Sequence, residues 1–218
     1  MEHSPTESLP QWLQPAYPGL VAFADILAST GVEQGLIGPR EVSRIWSRHL
    51  LNCAVVANPA EGLIPAGALV ADVGSGAGLP GLVWALARTD LKLVLIEPLL
   101  RRANFLSTVV VELELGAQVT VTRVRAEDLA KQGDWAGVDV VTARAVAPLA
   151  KLLGWTVPLL RNGGSLVALK GSSVSTELAE AAPVAAALGI KDLQIAICGQ
   201  GVVEPATTVV LATRGAAQ

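Results

Sequence analysis

A glycine-rich turn lies between an apolar segment and an amphipathic segment at residues 70–81, which read Val-Ala-Asp-Val-Gly-Ser-Gly-Ala-Gly-Leu-Pro-Gly. The apolar residues before the turn indicate a buried strand, and Leu82, Val83 and Leu86 give the segment after it an apolar helical side. Glycine lets the backbone bend sharply and lets a ligand approach it with no Cβ in between. The first N–H groups of the helix then face that ligand. The turn therefore predicts a site for a nucleotide-type cofactor.

Short apolar segments alternate with helical patterns from residue 66 onward. This alternation predicts a mostly parallel sheet that is covered by helices on both faces. Only residues 199–206 separate the last two strands, which is too short for a helical crossover, so we expect those strands to pair antiparallel. The predicted strands are 68–73, 91–96, 118–122, 138–143, 164–169, 190–198 and 207–213, and the predicted helices are 79–87, 99–115, 147–160 and 174–188.

The chain before residue 66 has a different character. We expect residues 1–16, which are rich in proline and polar side chains, to be a flexible N-terminus. Residues 17–65 are predicted to form a helical segment that packs on the main domain, residues 66–215, with helices at about 20–29 and 39–57. The second helix begins at a proline, which suits the first helical position.

The second of these helices has two distinct faces. His49 lies at the centre of its apolar stripe, so we expect a packed, hydrogen-bonded histidine and not a catalytic one. Arg40, Arg44 and Arg48 step by four along the opposite face. That row is compatible with a solvated helix face and equally with a track for a phosphate backbone.

Composition and charge exclude several classes of protein. The net charge of −3 argues against a general nucleic-acid binder, although residues 40–170 hold 14 basic and 11 acidic side chains, a local excess of three positive charges. We expect no membrane span and no signal peptide, because proline breaks the longest uncharged run and the N-terminus lacks Lys and Arg. Cys53 and Cys198 match no metal-ligand spacing, which favours free thiols, no metal and a cytoplasmic location.

The glycine turn fits two cofactors. Gly76-x-Gly78-x-x-Gly81, with Glu97 following, matches the fingerprint of a dinucleotide site and would suit NAD. Acids at successive strand ends favour S-adenosylmethionine instead: Asp72 can orient the turn or reach a methionine ammonium, Glu97 can accept ribose hydroxyls, and Glu127-Asp128 can hold an adenine amino group. Seven strands that end in an antiparallel pair are also typical of the methyltransferase version of the doubly wound sheet.

Five motifs occur in order along the chain: Asp72-Val-Gly-Ser-Gly-Ala-Gly-Leu-Pro-Gly81, Arg101-Arg-Ala-Asn-Phe-Leu106, Arg125-Ala-Glu127, Ala143-Arg-Ala145 and Leu169-Lys-Gly171. Together they resemble the RsmG family, also called glucose-inhibited division protein B, over about residues 20–215. The resemblance implies a Rossmann-like α/β fold of the class I S-adenosylmethionine-dependent methyltransferases. It also implies methylation of N7 of a specific guanine in 16S ribosomal RNA, with S-adenosylhomocysteine as product, by a monomer that acts on the small ribosomal subunit.

The resemblance also assigns site residues. Gly74 and Leu79 match the loop contacts to the cofactor, Ala126 and Glu127 match the adenine side, and Arg144 matches an arginine beside cofactor and substrate. The motif residues Arg48-His49 are present too, but Asn52-Cys53 stands where the family has Asp-Ser. Two acids at strand ends, Asp72 and Glu97, and two glycines of the turn, Gly76 and Gly78, complete the predicted cofactor-binding set.

Guanine N7 carries an exposed lone pair and no proton, so its methylation needs no general base. We therefore expect catalysis by positioning, with Arg144 and Lys170 at the ends of the fourth and fifth strands contacting RNA phosphate or guanine O6. Phe105 and Trp155 could provide the aromatic surface on which a flipped base stacks, although core packing is the expected role for both. The predicted RNA-binding residues are Arg44, Arg48, Arg101, Arg102 and Lys170.

Two other functions compete with this one. An NAD-dependent oxidoreductase would use the second glycine register, but Tyr17 is the single tyrosine of the chain and precedes the sheet domain, which argues against a tyrosine proton relay. A non-catalytic RNA-binding module on the same fold is the third possibility. The intact glycine turn and Glu97 argue against it, since a module without a ligand would not require them.

Overall fold

A computed structural model describes residues 9–215, whose centre is one seven-stranded sheet in the order β3-β2-β1-β4-β5-β7-β6. Strands β1 to β5 run parallel to one another, and β7 runs antiparallel to both of its neighbours. The expected antiparallel pair at the end of the chain is confirmed. The strands are β1 (Leu69–Val73), β2 (Lys92–Ile96), β3 (Val119–Thr122), β4 (Val138–Arg144), β5 (Leu160–Lys170), β6 (Ile190–Cys198) and β7 (Thr207–Arg214).

The sheet is buried on both faces, and neighbouring residues of one strand enter opposite cores. In β1, Val70 belongs to one hydrophobic cluster and Ala71 to the other, and Val140 and Val141 of β4 divide in the same way. This explains why the strands read as continuous apolar runs. The helices that supply the two layers are α1 (Tyr17–Ile26), α2 (Asn52–Ala54), α3 (Gly81–Ala87), α4 (Leu100–Glu112), α5 (Ala126–Leu129), α6 (Leu149–Thr156) and α7 (Val174–Ala187).

The N-terminal helical segment packs on the layer that contains α3 and α4. Helix α1 continues as a wider helical turn over Leu27–Gly31, and helical turns of mixed geometry extend from Pro39 through α2 to Ala57. The indole Nε1–H of the fully buried Trp84 donates to the carbonyl oxygen of Cys53 at 2.9 Å. This bond ties the N-terminal segment to α3, directly behind the glycine turn.

Two expectations about element boundaries need correction, and one short helix was missed. Residues 11–16 of the segment expected to be flexible form a helical turn, because the fully buried Leu13 anchors it in the core, while residues 1–8 lie outside the described residues. Strand β5 begins at Leu160 and not at 164, since Leu160 pairs with Val138 before a bulge at the glycines 163–164. Helix α5 was not predicted; it is one short turn.

Both cysteines are buried, free thiols, as expected. In residues 9–215, no helix has the length and apolarity needed to cross a bilayer.

Candidate active site

A cavity of about 560 Å³ opens at the carboxyl edge of the sheet, where β1, β2 and β4 end. Its wall includes Gly74 just after β1, Glu97 just after β2 and Arg144 at the end of β4. The strand order reverses between β1 and β4, and ligands of doubly wound sheets bind at such a switch point. The volume is also within the range of cofactor cavities, roughly 300–1,000 Å³.

The first glycine of the turn joins two walls of this cavity. Gly74 has a φ of +70°, and a Cβ built on it would lie 2.9 Å from Cγ2 of Val146. Val146 belongs to the loop after β4 and lines the same cavity. The N–H of Gly74 donates to the carbonyl oxygen of Ile96 at 2.8 Å, which fixes the turn over the end of β2. Any larger residue at this position would push the two walls apart.

Glu97 fastens the turn from the end of β2. One carboxylate oxygen accepts the N–H of Gly76 at 3.0 Å and the other accepts the N–H of Leu99 at 3.0 Å. The side chain is 2% exposed, yet it lines the cavity. Because a carboxylate oxygen can accept two hydrogen bonds, Glu97 retains acceptor capacity towards a ligand. The prediction had assigned it to a ligand alone, and the structure adds a role in holding the turn.

Asp72 corrects an expectation, because it does not line the cavity. Its Oδ2 accepts the N–H of Gly81 at 3.1 Å, and the hydroxyl of Ser75 donates to its backbone carbonyl at 2.8 Å. Within the described chain its Oδ1 is buried without a hydrogen-bond partner. Desolvation raises the pKa of Asp72 to about 7, against the opposing hydrogen bond from Gly81. Of the two roles suggested for this carboxylate, the contacts favour orientation of the turn.

Gly78 is also a structural glycine. Its φ is +88°, and a Cβ there would overlap Cδ1 of Leu82 in the first turn of α3. Gly78 does not line the cavity, in contrast to Gly76 and Leu79, which do. It is therefore the close packing of helix on turn, and not access for a ligand, that excludes a side chain at position 78.

On the side of the cavity predicted to hold adenine, Ala126 and Glu127 line the wall as expected, whereas the exposed Asp128 does not line it. Ala126 and Glu127 stand at the start of α5, just beyond β3, and both line the cavity. Glu97 and Glu127 thus place two carboxylates at successive strand ends around one space. The exposed guanidinium of Arg125 lies beside them on the same wall.

Arg144 stands opposite the glycine turn and is held from the N-terminal segment. Its Nη2 lies 2.8 Å from Nδ1 of His49 and donates to the carbonyl oxygen of Arg48 at 3.3 Å. Its Nη1 donates to Sγ of Cys53 at 3.3 Å. Cys53 therefore has a polar contact, although its thiol stays protonated because burial raises its pKa. Its neighbour Asn52 accepts from the hydroxyl of Thr207 at 2.9 Å.

His49 lines the same cavity while remaining mostly buried, with 9% of its surface exposed. Its Nε2 lies 3.1 Å from Oε2 of Glu41. Burial, reinforced by the charge of Arg144, lowers the pKa of His49 to about 4, so the ring is neutral at physiological pH. The expectation of a packed, hydrogen-bonded histidine is confirmed, but sequence patterns did not reveal that this residue reaches the site.

Lys170 requires a second correction, because it does not line the cavity. Its ammonium donates to the carbonyl oxygen of Ala147 at 2.9 Å and to Glu177 at 2.5 Å, and its side chain is 9% exposed. Glu177 in turn accepts the N–H of Leu149 at 2.9 Å. Lys170 and Glu177 therefore brace the loop that follows Arg144, and the nearly buried ammonium is not available to RNA.

The predicted RNA-binding arginines lie in different places. Arg102 is exposed and lines the cavity, whereas Arg101 lines a second groove between α4 and residues 26–34. Arg44 and Arg48 have side chains 52% and 54% exposed, and both form ion pairs with Glu41, at 3.3 and 3.4 Å. These four side chains remain candidates for contact with a polyanion, since each leaves donors open to solvent.

Several further residues line the cavity. Trp155 does so while it also packs against the core, the role expected for it, and the ammonium of Lys151 lies 5.0 Å from its ring centroid. Phe105 is buried in the core, as expected. Ala145 lines it with a φ of +54°, a strained conformation for a residue with a Cβ and one that clusters at functional sites. Leu36 and Ile37 close it from the N-terminal segment. The Ala-Arg-Ala motif was the one available signal for Ala145.

The cavity fits S-adenosylmethionine on its own geometry. Gly74 and Gly76 keep the backbone bare where a Cβ would narrow the space, and Glu97 and Glu127 supply carboxylates for hydroxyl and amino groups. Apolar contacts from Leu79 and Ile96 complete the wall.

Comparison with known proteins identifies relatives over most of the chain. A family model described as rRNA small subunit methyltransferase G matches residues 16–206. A protein from Salinispora arenicola called ribosomal RNA small subunit methyltransferase G is 57% identical over 195 residues, which cover 87% of this chain and 78% of the relative. One of the same name from Mycolicibacterium gilvum is 48% identical over 95% of this chain and 88% of the relative.

Solved structures share the fold at low sequence identity. The O-methyltransferase TomG from Streptomyces achromogenes, determined in complex with SAM, superposes with a TM-score of 0.59 at 16% identity, over 90% of this chain and 89% of that one. A SAM-dependent O-methyltransferase from Thermotoga maritima gives a TM-score of 0.56 at 14% identity, over 82% and 71% of the two chains. The sheet and its helical layers are therefore those of the Rossmann-like, class I methyltransferases.

Proposed function

This chain belongs to the rRNA small subunit methyltransferase G family, and from that premise we propose that it methylates N7 of one specific guanine in 16S ribosomal RNA. Family membership makes it an S-adenosylmethionine-dependent methyltransferase and removes the oxidoreductase and the non-catalytic module from consideration. The observation that carries the proposal is the single cavity shared by the glycine turn, the two carboxylates Glu97 and Glu127, and Arg144.

The proposed reaction transfers one methyl group and, with it, one positive charge. When bound, S-adenosylmethionine would supply a methyl group on a positively charged sulfur. The N7 lone pair of guanine would attack that methyl carbon in line with the bond to sulfur, and S-adenosylhomocysteine would leave. The bond from N7 to the methyl carbon would form as the bond from sulfur to that carbon breaks, and the positive charge would end on the guanine ring. Guanine N7 gives up no proton, so the protein needs no general base.

The protein's contribution is then alignment of two reactants. Holding two reacting groups in line is worth on the order of 7–11 kcal/mol of barrier. In this cavity the glycine turn and the carboxylates would fix the cofactor, while Arg144 would fix the base through a hydrogen bond to guanine O6. A cationic donor aimed at N7 itself would block the lone pair and oppose the charge that develops there. We therefore assign Arg144 to orientation of the base and not to stabilisation of charge.

The base must leave its stack to enter the cavity, and Trp155 provides an aromatic wall on which it can stack. Arg102 and Arg125 stand exposed on the same rim, and Arg101, Arg44 and Arg48 lie further out. We propose that these cations contact phosphates of the strand on either side of the target guanine. The acidic protein would then bind RNA through a local basic rim.

The finer proposal concerns the setting of the reaction. We propose that the substrate is the assembled small subunit, and that the protein acts as a monomer in the cytoplasm. Light scattering of the purified protein at working concentration tests the monomer. Parallel methylation of naked 16S RNA and of small subunits tests the substrate, and faster transfer to naked RNA would refute the assembled form.

The first experiment is transfer of labelled methyl groups from S-adenosylmethionine to small subunits that lack N7-methylguanine, followed by mapping of the modified base. Incorporation at one guanine N7 supports the proposal. In the Arg144→Ala variant we expect transfer to fall by a larger factor than affinity for S-adenosylhomocysteine. No incorporation by a protein that binds the cofactor, or methyl groups at another atom, would overturn the proposed substrate.

A further inference from the structure

Within the described chain, the hydrogen-bond partners of the Arg144 side chain all belong to the N-terminal helical segment. Nη2 donates to Nδ1 of His49 at 2.8 Å and to the carbonyl of Arg48 at 3.3 Å, and Nη1 donates to Sγ of Cys53 at 3.3 Å. A guanidinium has five N–H groups, so the Nε–H and one Nη1–H remain. Since Arg144 lines the cavity, those two donors are available to a ligand there.

His49 provides the shortest of these contacts. In residues 9–215 no carboxylate forms an ion pair with Arg144, and a thiol sulfur is a weak acceptor. A guanidinium can only donate, so the Nδ1 of His49 that faces it must be unprotonated. The Nε2 of the same ring then carries the proton and donates to Glu41 at 3.1 Å. The two partners thus fix both the tautomer and the plane of the ring.

Glu41 is itself held in place. Its carboxylate pairs with Arg44 and Arg48 as well as with His49, and these partners keep its pKa below the usual range although desolvation opposes them. The chain Glu41–His49–Arg144 therefore runs from an exposed ion-pair cluster, through a nearly buried imidazole, to the cavity. Of these three residues, only Arg144 belongs to the sheet.

We propose that His49 is a positioning residue, whose unprotonated Nδ1, oriented by Glu41, sets the guanidinium of Arg144 so that its free N–H groups face the substrate base. The inference rests on the proposed function, since it concerns alignment of the guanine. It also gives the N-terminal segment a task in the reaction beyond packing. A displacement of about 1 Å at a reacting centre can cost on the order of a hundredfold in rate.

Two conservative variants separate the bond between His49 and Arg144 from the bond between His49 and Glu41. The amide of asparagine reaches about as far as Nδ1 of histidine, so His49→Asn keeps an acceptor for Arg144 and loses Glu41. The amide of glutamine reaches about as far as Nε2, so His49→Gln keeps the bond to Glu41 and loses Arg144. We expect His49→Gln to lower kcat for small subunits by about ten- to a hundredfold with little change in KM. We expect His49→Asn to retain most of the wild-type kcat.

A role in packing alone predicts a different pattern. The two variants would then lose activity together, in proportion to their lowered melting temperatures, and that result would overturn the proposal. Coupling to Arg144 is tested by a double-mutant cycle, in which His49→Gln should have no further effect on kcat once Arg144→Ala is present. Independent, multiplicative effects would also refute it.

A spectroscopic readout does not depend on turnover. The chain contains two histidines, so ¹⁵N imidazole spectra are readily assigned with a His3→Ala control. We expect the neutral Nε2–H tautomer for His49 in the wild type, and in Arg144→Ala the same tautomer with a changed Nδ1 shift, because Glu41 still accepts from Nε2 while the bond to Nδ1 is lost. An Nδ1–H tautomer in the wild type would refute the inference even if the enzyme is active. An inactive wild type with the expected tautomer would instead refute the proposed function.

Discussion

The side chain of Asp72 reaches across the whole glycine turn and accepts the N–H of Gly81 at 3.1 Å. A Cβ on Gly81 would lie 2.6 Å from the same carboxylate oxygen, so the bond requires glycine at its far end. The other oxygen, Oδ1, is buried and has no partner in the described chain. The turn that forms the cofactor wall is therefore fastened from below by a carboxyl group that water cannot reach.

Asp72 should make stability fall as pH rises. Desolvation raises its folded pKa to about 7, against 3.8 for the free group, so the folded chain binds more protons between those values. The stability that this group contributes is present at low pH and is lost as pH rises through about 7. Relative to Asp72→Asn, which cannot ionise, the wild type should lose roughly 1–4 kcal/mol between about pH 5 and about pH 8. Urea unfolding of both proteins measures this, and a constant difference would contradict it.

His49 should have the opposite dependence. Burial lowers its folded pKa to about 4 from 6.5, so the unfolded chain binds more protons in that window. Its contribution is present above about 6.5 and is lost as pH falls towards about 4. Relative to His49→Gln, the wild type should lose roughly 1–3 kcal/mol of unfolding free energy over that fall. Equal pH profiles for the two proteins would show that the ring titrates normally in the fold.

Removal of Lys170 should destabilise the protein. Lys170→Ala leaves Glu177 and the Ala147 carbonyl without their cationic donor in a largely buried place, at a cost of about 2–4 kcal/mol. Lys131→Ala is the matched control, since its pair with Asp128 is exposed and 3.8 Å long, and should cost less than about 1 kcal/mol. Thermal melting compares the two variants. A weaker affinity for small subunits with an unchanged melting temperature would restore Lys170 as an RNA contact.

Two glycines of the turn should respond differently to alanine. At Gly78 the Cβ overlaps Leu82, so Gly78→Ala should lower both stability and affinity for S-adenosylhomocysteine. At Gly76 the nearest atom lies 3.7 Å from the added Cβ, and the φ of +55° alone costs about 1 kcal/mol. Gly76→Ala should therefore fold well and lose affinity by narrowing the cavity. Melting temperature and calorimetric affinity separate the two, and equal melting temperatures would contradict the packing assigned to Gly78.

Neutralising one rim arginine should change the salt dependence of binding. If Arg102 contacts a phosphate, Arg102→Gln should reduce the slope of log affinity for small subunits against log salt concentration by roughly 0.7–0.9 in magnitude. Arg161→Gln removes the same charge at the opposite end of the sheet, where Arg161 pairs with Asp139, and should leave the slope unchanged. Filter binding at several salt concentrations measures both slopes. Equal changes in the two variants would indicate an effect of net charge alone.

The sequence patterns predicted the architecture well because they report local geometry. Apolar runs of five to nine residues that alternate with helical patterns predicted the strands, and the short link 199–206 required the antiparallel pair of β6 and β7. Pro39 and the stripe through His49 gave the second N-terminal helix. The predicted start of β5 was wrong: the strand was expected from residue 164 but begins at Leu160, and Gly163 and Gly164 form a bulge within its pairing with β4.

The sequence by itself determined the glycine turn, the strand ends at which site residues gather, and the family. Only the tertiary structure decided which side chains at those ends face the cavity. Asp72 and Lys170 stand at strand ends as predicted, but burial commits each to partners within the protein, Gly81 for one and Glu177 for the other. His49 joins the site from a distant helix, because Arg144 needs an acceptor that its own strand does not provide. Position along a strand is a local property, whereas the partner that satisfies a buried polar group is chosen by packing between distant segments.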